Sequence, residues 1–180
     1  GENNIFNYKQ FFSGDIKISI EYIPKFVNEL MRYVYAILGI SKKCIVLDLD
    51  NTLWGGVIGE DGFDNIKLGD NPVGRSFVEF QKRLLALNKR GIILAINSKN
   101  NFDDAIEVIQ KHPNMILKEE NFACVKINWD DKVVNLQKIA EELNIGLDSM
   151  VFFDDDPINQ EYVRESLPGV LVIDLTKDSS

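Results

Sequence analysis

Two carboxylates separated by one residue, Asp48 and Asp50, stand at the end of an apolar run at residues 44–49 that predicts a buried strand. The period-2 geometry of a strand places both carboxylates on the same side. One of them can attack phosphorus or an acyl carbon, while the other moves a proton to or from the leaving group. A lone Asp-Xaa-Asp is often a turn or a helix cap. The string Asp-Leu-Asp-Asn-Thr-Leu, directly after an apolar strand, is more specific and favours catalysis.

A second acidic group, Asp154, Asp155 and Asp156, follows a predicted strand at residues 150–153 and precedes Pro157. Successive carboxylates repel one another unless a cation lies nearby. Oxygen ligands favour a hard ion such as Mg²⁺. We therefore assign Asp154 to a metal and Asp155 to its direct or water-mediated support. Asp156 is suited to capping the helix that follows.

Two further groups have the residue types of a phosphate site. Ser98, Lys99 and Asn100 precede a predicted helix, and a Ser hydroxyl with helix N-terminal amides binds anions. A plain N-cap is the alternative for these residues alone. Lys132 lies in the first turn of another predicted helix, where a cation gains nothing from the helix dipole. It is either an exposed lysine or a residue that screens Asp48 from phosphate.

The elements that must position these residues alternate along the chain. Alternation of strands and helices predicts an α/β fold with a parallel sheet flanked by helices. The sites of such sheets lie at the carboxyl ends of the strands. The predicted strands are residues 44–49, 92–96, 122–127, 150–153 and 170–173, and the helices between them are 77–89, 101–111, 132–143 and 158–166. Residues 1–40 are predicted to be an extension with one amphipathic helix, and 41–180 the catalytic domain.

Composition excludes several classes of function. The net charge of −8 argues against general affinity for nucleic acid or an anionic membrane surface, and no apolar stretch reaches the length of a bilayer span. The two cysteines, Cys44 and Cys124, lie in apolar runs, so we expect buried thiols and a cytoplasmic setting. His112 precedes Pro113 at a predicted helix end, which indicates a surface or capping residue. No Gly-Xaa-Gly-Xaa-Xaa-Gly of a nucleotide-binding domain follows the first strand.

In their order and strand-end placement, the four groups resemble the motifs of the haloacid dehalogenase (HAD) superfamily over residues 42–175. The resemblance implies a Rossmannoid fold with Asp48 as nucleophile and Asp50 as general acid/base. It implies that Ser98 and Lys132 bind phosphate. It also implies Mg²⁺ held by Asp48, by the carbonyl of Asp50 and by Asp154.

HAD enzymes for small metabolites often carry a large cap domain, but only about twenty residues separate Thr52 from the next predicted helix. We therefore expect a capless, open site. Gly55 and Gly56 are among the glycines that predict a turn and a small β-hairpin flap around residues 54–68. Thr52 and Trp54 are expected at the substrate entrance, with core packing as the alternative for Trp54.

Four longer stretches, residues 48–62, 98–101, 128–132 and 147–157, resemble the FkbH-like subfamily. Members of this subfamily serve polyketide pathways. They take a glyceryl unit from 1,3-bisphosphoglycerate, load it on the phosphopantetheine thiol of an acyl carrier protein and remove phosphate. The resemblance therefore implies a phosphorylated three-carbon substrate and a carrier protein as partner.

Two positions depart from that subfamily. Relatives usually carry a Cys where this chain has Asn97, and an Asn where it has Asp156. Cys44 begins the strand that carries Asp48 and lies roughly 13 Å from it at ~3.3 Å per residue, which is too far to replace the missing Cys. The carrier thiol would therefore attack the acyl phosphate directly.

A capless phosphatase acting on a sugar phosphate or phosphoprotein is the first alternative. A non-catalytic interaction module is the second, and the intact aspartates argue against it.

Overall fold

The computed structural model describes residues 42–174, so the predicted N-terminal extension and the last six residues lie outside the described residues. Five strands alternate with helices in the described part. The strands are β1 (Cys44–Leu47), β2 (Ile93–Ser98), β3 (Phe122–Ile127), β4 (Met150–Asp154) and β5 (Leu171–Asp174). The helices are α1 (Ile58–Asp61), α2 (Pro72–Lys89), α3 (Phe102–Lys111), α4 (Lys132–Leu143) and α5 (Pro157–Ser166).

The five strands form one sheet in the order β3-β2-β1-β4-β5, and every pair of neighbours is parallel. The chain moves outward from β1 to β3, then returns to place β4 on the other side of β1. The order therefore reverses at β1, and ligands of open α/β sheets bind where the order reverses, outside the carboxyl ends of the strands. This geometry confirms the predicted fold class and directs attention to the residues after Leu47.

Two apolar layers cover the sheet, one on each face. On β1, Ile45 and Leu47 belong to one buried cluster, while Cys44 and Val46 belong to the other. This division follows from the alternation of side chains along a strand. All four residues are fully buried, so the strand that leads to Asp48 is held rigidly from both sides.

The region after β1 differs from the predicted flap. Instead of a β-hairpin, Gly55 and Lys67 form a single antiparallel bridge, with Gly55 N to Lys67 O at 3.1 Å and Lys67 N to Gly55 O at 2.7 Å. Between them the chain forms the short helix α1. One bridge and one helical turn thus stand where the sequence predicted a small hairpin, because glycine spacing marks turns but does not choose between two strands and one helical turn.

Helix α2 begins five residues before the predicted start. Pro72 occupies its first position, and the Asn71 side chain accepts a hydrogen bond from Gly74 N at 2.6 Å. Both features are standard helix-start signals that the apolar stripe did not reveal. None of the helices described between residues 42 and 174 combines the length and apolar character needed to cross a membrane.

Candidate active site

Three carboxylates from two strand ends meet at the reversal point of the sheet. Asp48 follows β1, and Asp154 ends β4, which pairs with it. Asp48, Asp154 and Asp155 each offer a carboxylate oxygen, and these oxygens lie within 4.8 Å of one another. Asp154 is fully buried and Asp48 nearly so. The residues that the sequence singled out as metal ligands are therefore close enough to bind one ion, apart from the Asp50 carbonyl, which stays a prediction.

Lys132 lies beside these carboxylates and not on the surface. Its Nζ is 3.0 Å from Asp48 Oδ1 and 3.0 Å from Asp154 Oδ2, and only 1% of the residue is exposed. The ammonium also donates to the backbone oxygen of Asn97 at 2.8 Å. The ammonium is therefore paired with two carboxylates and hydrogen-bonded to one backbone carbonyl. The reading of Lys132 as an exposed lysine is excluded.

The charge balance of the cluster is incomplete. Burial raises the pKa of Asp154, Lys132 opposes that rise, and the charge of Asp48 adds to it. Burial, together with the charges of Asp48 and Asp154, raises the pKa of Asp155 from 3.8 to about 6. Three carboxylates beside one ammonium leave two negative charges uncompensated. A bound divalent cation would balance them, which agrees with the all-oxygen donor set.

Asp50 is held in one orientation by three N–H donors. Trp54 Nε1 and Ile58 N donate to its Oδ1 at 2.9 and 3.0 Å, and Asn100 Nδ2 donates to its Oδ2 at 2.9 Å. Trp54 is fully buried and Thr52 is 1% exposed. The prediction that these two residues line the substrate entrance is therefore wrong. Trp54 packs in the core, as the alternative held, and its indole N–H donates to the half-buried carboxylate of Asp50.

The Ser98–Asn100 segment lies where the sequence placed it, at the end of β2 and before α3. Ser98 and Asn100 are buried and bonded to each other, with Asn100 Nδ2 at 3.2 Å from Ser98 Oγ. Because Asn100 also contacts Asp50, it links this segment to the acidic pair. Lys99 is exposed, and its role as a phosphate ligand stays a prediction.

Asp156 caps α5 as predicted, accepting a hydrogen bond from Ile158 N at 2.9 Å.

Sequence reasoning missed a set of buried amides behind the site. Asn97, Asn135, Gln81 and Gln160 are all fully buried. A buried amide without partners costs about 1–3 kcal/mol, so each one requires specific hydrogen bonds. Gln160, for example, donates to the backbone oxygen of Asp154 at 2.7 Å. The one available signal was Asn135, a polar residue on the mostly apolar face of α4.

Neither cysteine is placed to act in this site. Cys44 and Cys124 are both free and buried, as predicted. Burial raises the pKa of Cys44 to about 12 and that of Cys124 to about 11, so neither is a thiolate at neutral pH.

His112 is the C-terminal cap of α3 but is buried, and burial lowers its pKa. It packs 5.3 Å from the ring of Phe63, so the surface alternative for it was wrong.

The parallel sheet, with strand order β3-β2-β1-β4-β5, has a HAD-like fold. The structure resembles that of the N-terminal part of a Bacteroides fragilis protein, which contains a phosphatase domain and was crystallised with Mg. The two share 42% sequence identity over 96% of this chain, with a TM-score of 0.73. This chain spans 46% of that chain, less than half of its length.

More distant structures share the fold alone. A HAD family enzyme of Bacteroides thetaiotaomicron, in its magnesium complex, has 16% identity and a TM-score of 0.52, covering 78% of this chain and 97% of its own. A HAD-superfamily hydrolase of Geobacter sulfurreducens has 13% identity and a TM-score of 0.51, covering 74% and 89%. No family model matches the chain, and the comparison with curated proteins gives no match.

Proposed function

We propose that this domain is a Mg²⁺-dependent phosphatase in which Asp48 attacks the phosphorus of the substrate. The observation that carries the proposal is the convergence of Asp48, Asp154 and Asp155 around one point, with the ammonium of Lys132 at 3.0 Å from the first two. The phosphatase domain of the Bacteroides fragilis protein, complexed with Mg, supports the same conclusion.

The donor set suits Mg²⁺. The carboxylates of Asp48, Asp154 and Asp155 would hold the ion, and Asp154 Oδ2 is a buried oxygen that lies 3.0 Å from Lys132 Nζ and accepts no hydrogen bond from the residues described at 42–174. Mg²⁺ is usually bound by a few carboxylates with water completing the shell. When bound, the ion neutralises charge on the phosphoryl oxygens, which is the largest electrostatic demand of phosphoryl transfer.

The residues divide the remaining work. A carboxylate oxygen of Asp48 forms a bond to phosphorus, and the bond from phosphorus to the ester oxygen breaks. The leaving oxygen takes a proton, which we assign to Asp50 because three N–H groups fix its orientation. In the second step Asp50 takes a proton from water, which displaces Asp48 from phosphorus. The phosphate oxygens would be faced by the side chains of Ser98, Asn100 and Lys132.

The proposal is tested by measuring phosphate release from a simple aryl phosphate ester with Mg²⁺ and with a chelator. We expect release with Mg²⁺ and its loss in the chelator. Release that is equal in the two conditions would refute the metal requirement, and absence of release from a range of phosphate esters would refute the phosphatase assignment.

The pKa of Asp155 predicts that stabilisation by Mg²⁺ depends on pH. The folded-state pKa of about 6 lies above the ordinary 3.8, so the folded protein without metal binds more protons than the unfolded chain between these values. Without metal, this group's contribution to stability therefore falls as pH rises through that range. Protons compete with Mg²⁺ below about pH 6. We expect Mg²⁺ to raise the melting temperature strongly near pH 7.5 and weakly near pH 5.

The measurement is thermal unfolding with Mg²⁺ or with NaCl of matched ionic strength. An equal rise at both pH values would show that Mg²⁺ does not bind through Asp155 and its neighbours.

We further propose that the substrate is a three-carbon acyl phosphate and that the acyl group goes to the thiol of an acyl carrier protein. The resemblance of residues 48–62 and 147–157 to the FkbH-like subfamily supports this. So does an apolar rim: Phe102, Trp129 and Ile158 follow three strand ends and are 51%, 70% and 79% exposed. Exposed aromatic and apolar side chains beside a site favour a protein partner.

The chemistry of transfer needs no enzyme thiol, which fits the buried state of Cys44 and Cys124. The carrier sulfur bonds to the acyl carbon, the bond from that carbon to the phosphate oxygen breaks, and phosphate leaves with the electron pair. A carboxylate base takes the thiol proton. Asp48 then removes the second phosphate at C3.

Intact mass of a carrier protein, incubated with this domain, Mg²⁺ and 1,3-bisphosphoglycerate, tests the transfer. We expect the mass of one glyceryl unit to be added. An unmodified carrier together with released phosphate would leave the simple phosphatase, acting on a sugar phosphate or phosphoprotein, as the function.

A further inference from the structure

Lys132 and Asn97 bond to each other twice, at the point where β2 ends and α4 begins. Lys132 Nζ donates to the backbone oxygen of Asn97 at 2.8 Å, and Asn97 Nδ2 donates to the backbone oxygen of Lys132 at 2.9 Å. The side chain of Asn97 thus holds the backbone from which Lys132 projects. The backbone oxygen of Asn97 in turn accepts the hydrogen bond of the ammonium.

Two more asparagines continue this contact. Asn135 Nδ2 donates to Asn97 Oδ1 at 3.2 Å and to Asn128 Oδ1 at 2.8 Å, and Asn128 Nδ2 reaches Asn135 Oδ1 at 3.4 Å. Asn97 and Asn135 are fully buried, while Asn128 is half-buried. We call Asn97, Asn128 and Asn135 the amide chain.

The amide chain crosses three elements. It joins the end of β2, the loop after β3 and the second turn of α4. Val133 and Leu136, which lie near Asn135 on α4, belong to a buried apolar cluster. An apolar residue at position 97 would remove the side-chain hydrogen bond to Lys132 O, and one at position 135 would remove the bond that Asn135 donates to the Asn97 side chain.

We propose that Asn97 and Asn135 are positioning residues for Lys132: they hold its ammonium between Asp48 and Asp154, where it meets the phosphate. This inference rests on the proposed function for its catalytic consequence, but the placement of the ammonium can be measured without turnover. The ammonium is hydrogen-bonded to Asn97 O, paired with Asp48 and Asp154, and belongs to a residue that is 1% exposed, so we expect its protons to exchange slowly with water.

The first experiment records the ammonium resonance of Lys132 in ¹⁵N-lysine-labelled protein, with Lys132→Met to identify the signal. We expect the resonance in the wild type and its loss, by faster proton exchange, in Asn135→Leu. Gln81→Leu is the matched control. Gln81 is an equally buried amide that bonds to Leu53 O and Ile116 N, away from Lys132, so its loss lowers stability and leaves the resonance in place.

The second experiment compares phosphate release and binding of inorganic phosphate with Mg²⁺ in single and double variants. Asn135→Leu should lower both about tenfold, the usual effect of losing a partner that orients a binding group. In the Lys132→Met background the same change should have no further effect, because Asn135 acts through Lys132. An equal further loss in that background would show a structural role and overturn the inference.

Asn128→Ala covers the case in which Asn135→Leu does not fold. It removes the half-buried end of the amide chain and should broaden the resonance and lower phosphate affinity by a few-fold. An unchanged resonance in folded Asn128→Ala and Asn135→Leu would refute positioning. A wild type with a protected resonance but no phosphate binding or release would instead refute the proposed function.

Discussion

Replacing Asp48 with Asn is expected to reduce phosphate release by at least about a thousandfold, because it removes the attacking carboxylate while leaving its shape. The amide oxygen that Asp48→Asn introduces can still accept from Leu49 N, which donates to Asp48 Oδ1 at 2.8 Å. The fold should therefore survive the change. The measurement is the rate of phosphate release with saturating Mg²⁺, with circular dichroism to verify folding.

A matched control is Glu141→Gln, which makes the same change of carboxylate to amide on the same protein. Glu141 is exposed on α4, nine residues beyond Lys132, or about 13 Å along the helix axis. We expect it to keep full activity. If Asp48→Asn retained activity within tenfold of the wild type, Asp48 would not be the nucleophile, whatever the metal contributes.

The sequence predicted most reliably the features that depend on a local pattern of residues. Apolar runs that end in carboxylates predicted β1 and β4, and parallel pairing of these strands brings Asp48 to Asp154 without any further information. Lys132 was recognisable because its charge opposes the helix dipole in the first turn of α4. An anomaly in the local rules thus marked a residue of the site.

Contacts between distant positions were not predictable in this way. Asn97 and Asn135 lie 38 positions apart, and their bond depends on how α4 docks on the sheet. The sequence does not decide whether Trp54 is exposed or buried, because that depends on where its hydrogen-bond acceptor, Asp50, lies. Hydrogen-bond partners of buried amides are chosen by tertiary packing, which periodicity does not encode.

The second large effect is expected from Lys132→Met, which keeps most of the length of the side chain and removes its charge. Without the ammonium, Asp48, Asp154 and Asp155 face one another with no balancing charge from Lys132, and the metal-free protein should lose about 3–5 kcal/mol of unfolding free energy. Phosphate release should fall by about a hundredfold or more, as for other preorganised electrostatic contacts.

The pH dependence of this loss separates charge from packing. Burial raises the pKa of Asp154, and Lys132 opposes that rise, so the pKa rises further in Lys132→Met. An acid whose folded-state pKa is raised destabilises the fold as pH rises through that pKa. The stability gap between wild type and Lys132→Met, measured by urea unfolding without metal, should therefore be larger near pH 8 than near pH 5. A gap of equal size at both values would point to lost packing.

Lys138→Met provides the comparison on the same helix. Lys138 pairs with Asp130 at 3.0 Å, and its side chain is 49% exposed. A surface pair of this kind contributes at most about 1 kcal/mol. The two lysines lie six residues apart on α4 and each contacts a carboxylate at the same distance, so they differ chiefly in burial and in the number of acidic neighbours. A large difference between the two variants would therefore mean that the buried cluster, and not ion pairing as such, requires the charge of Lys132.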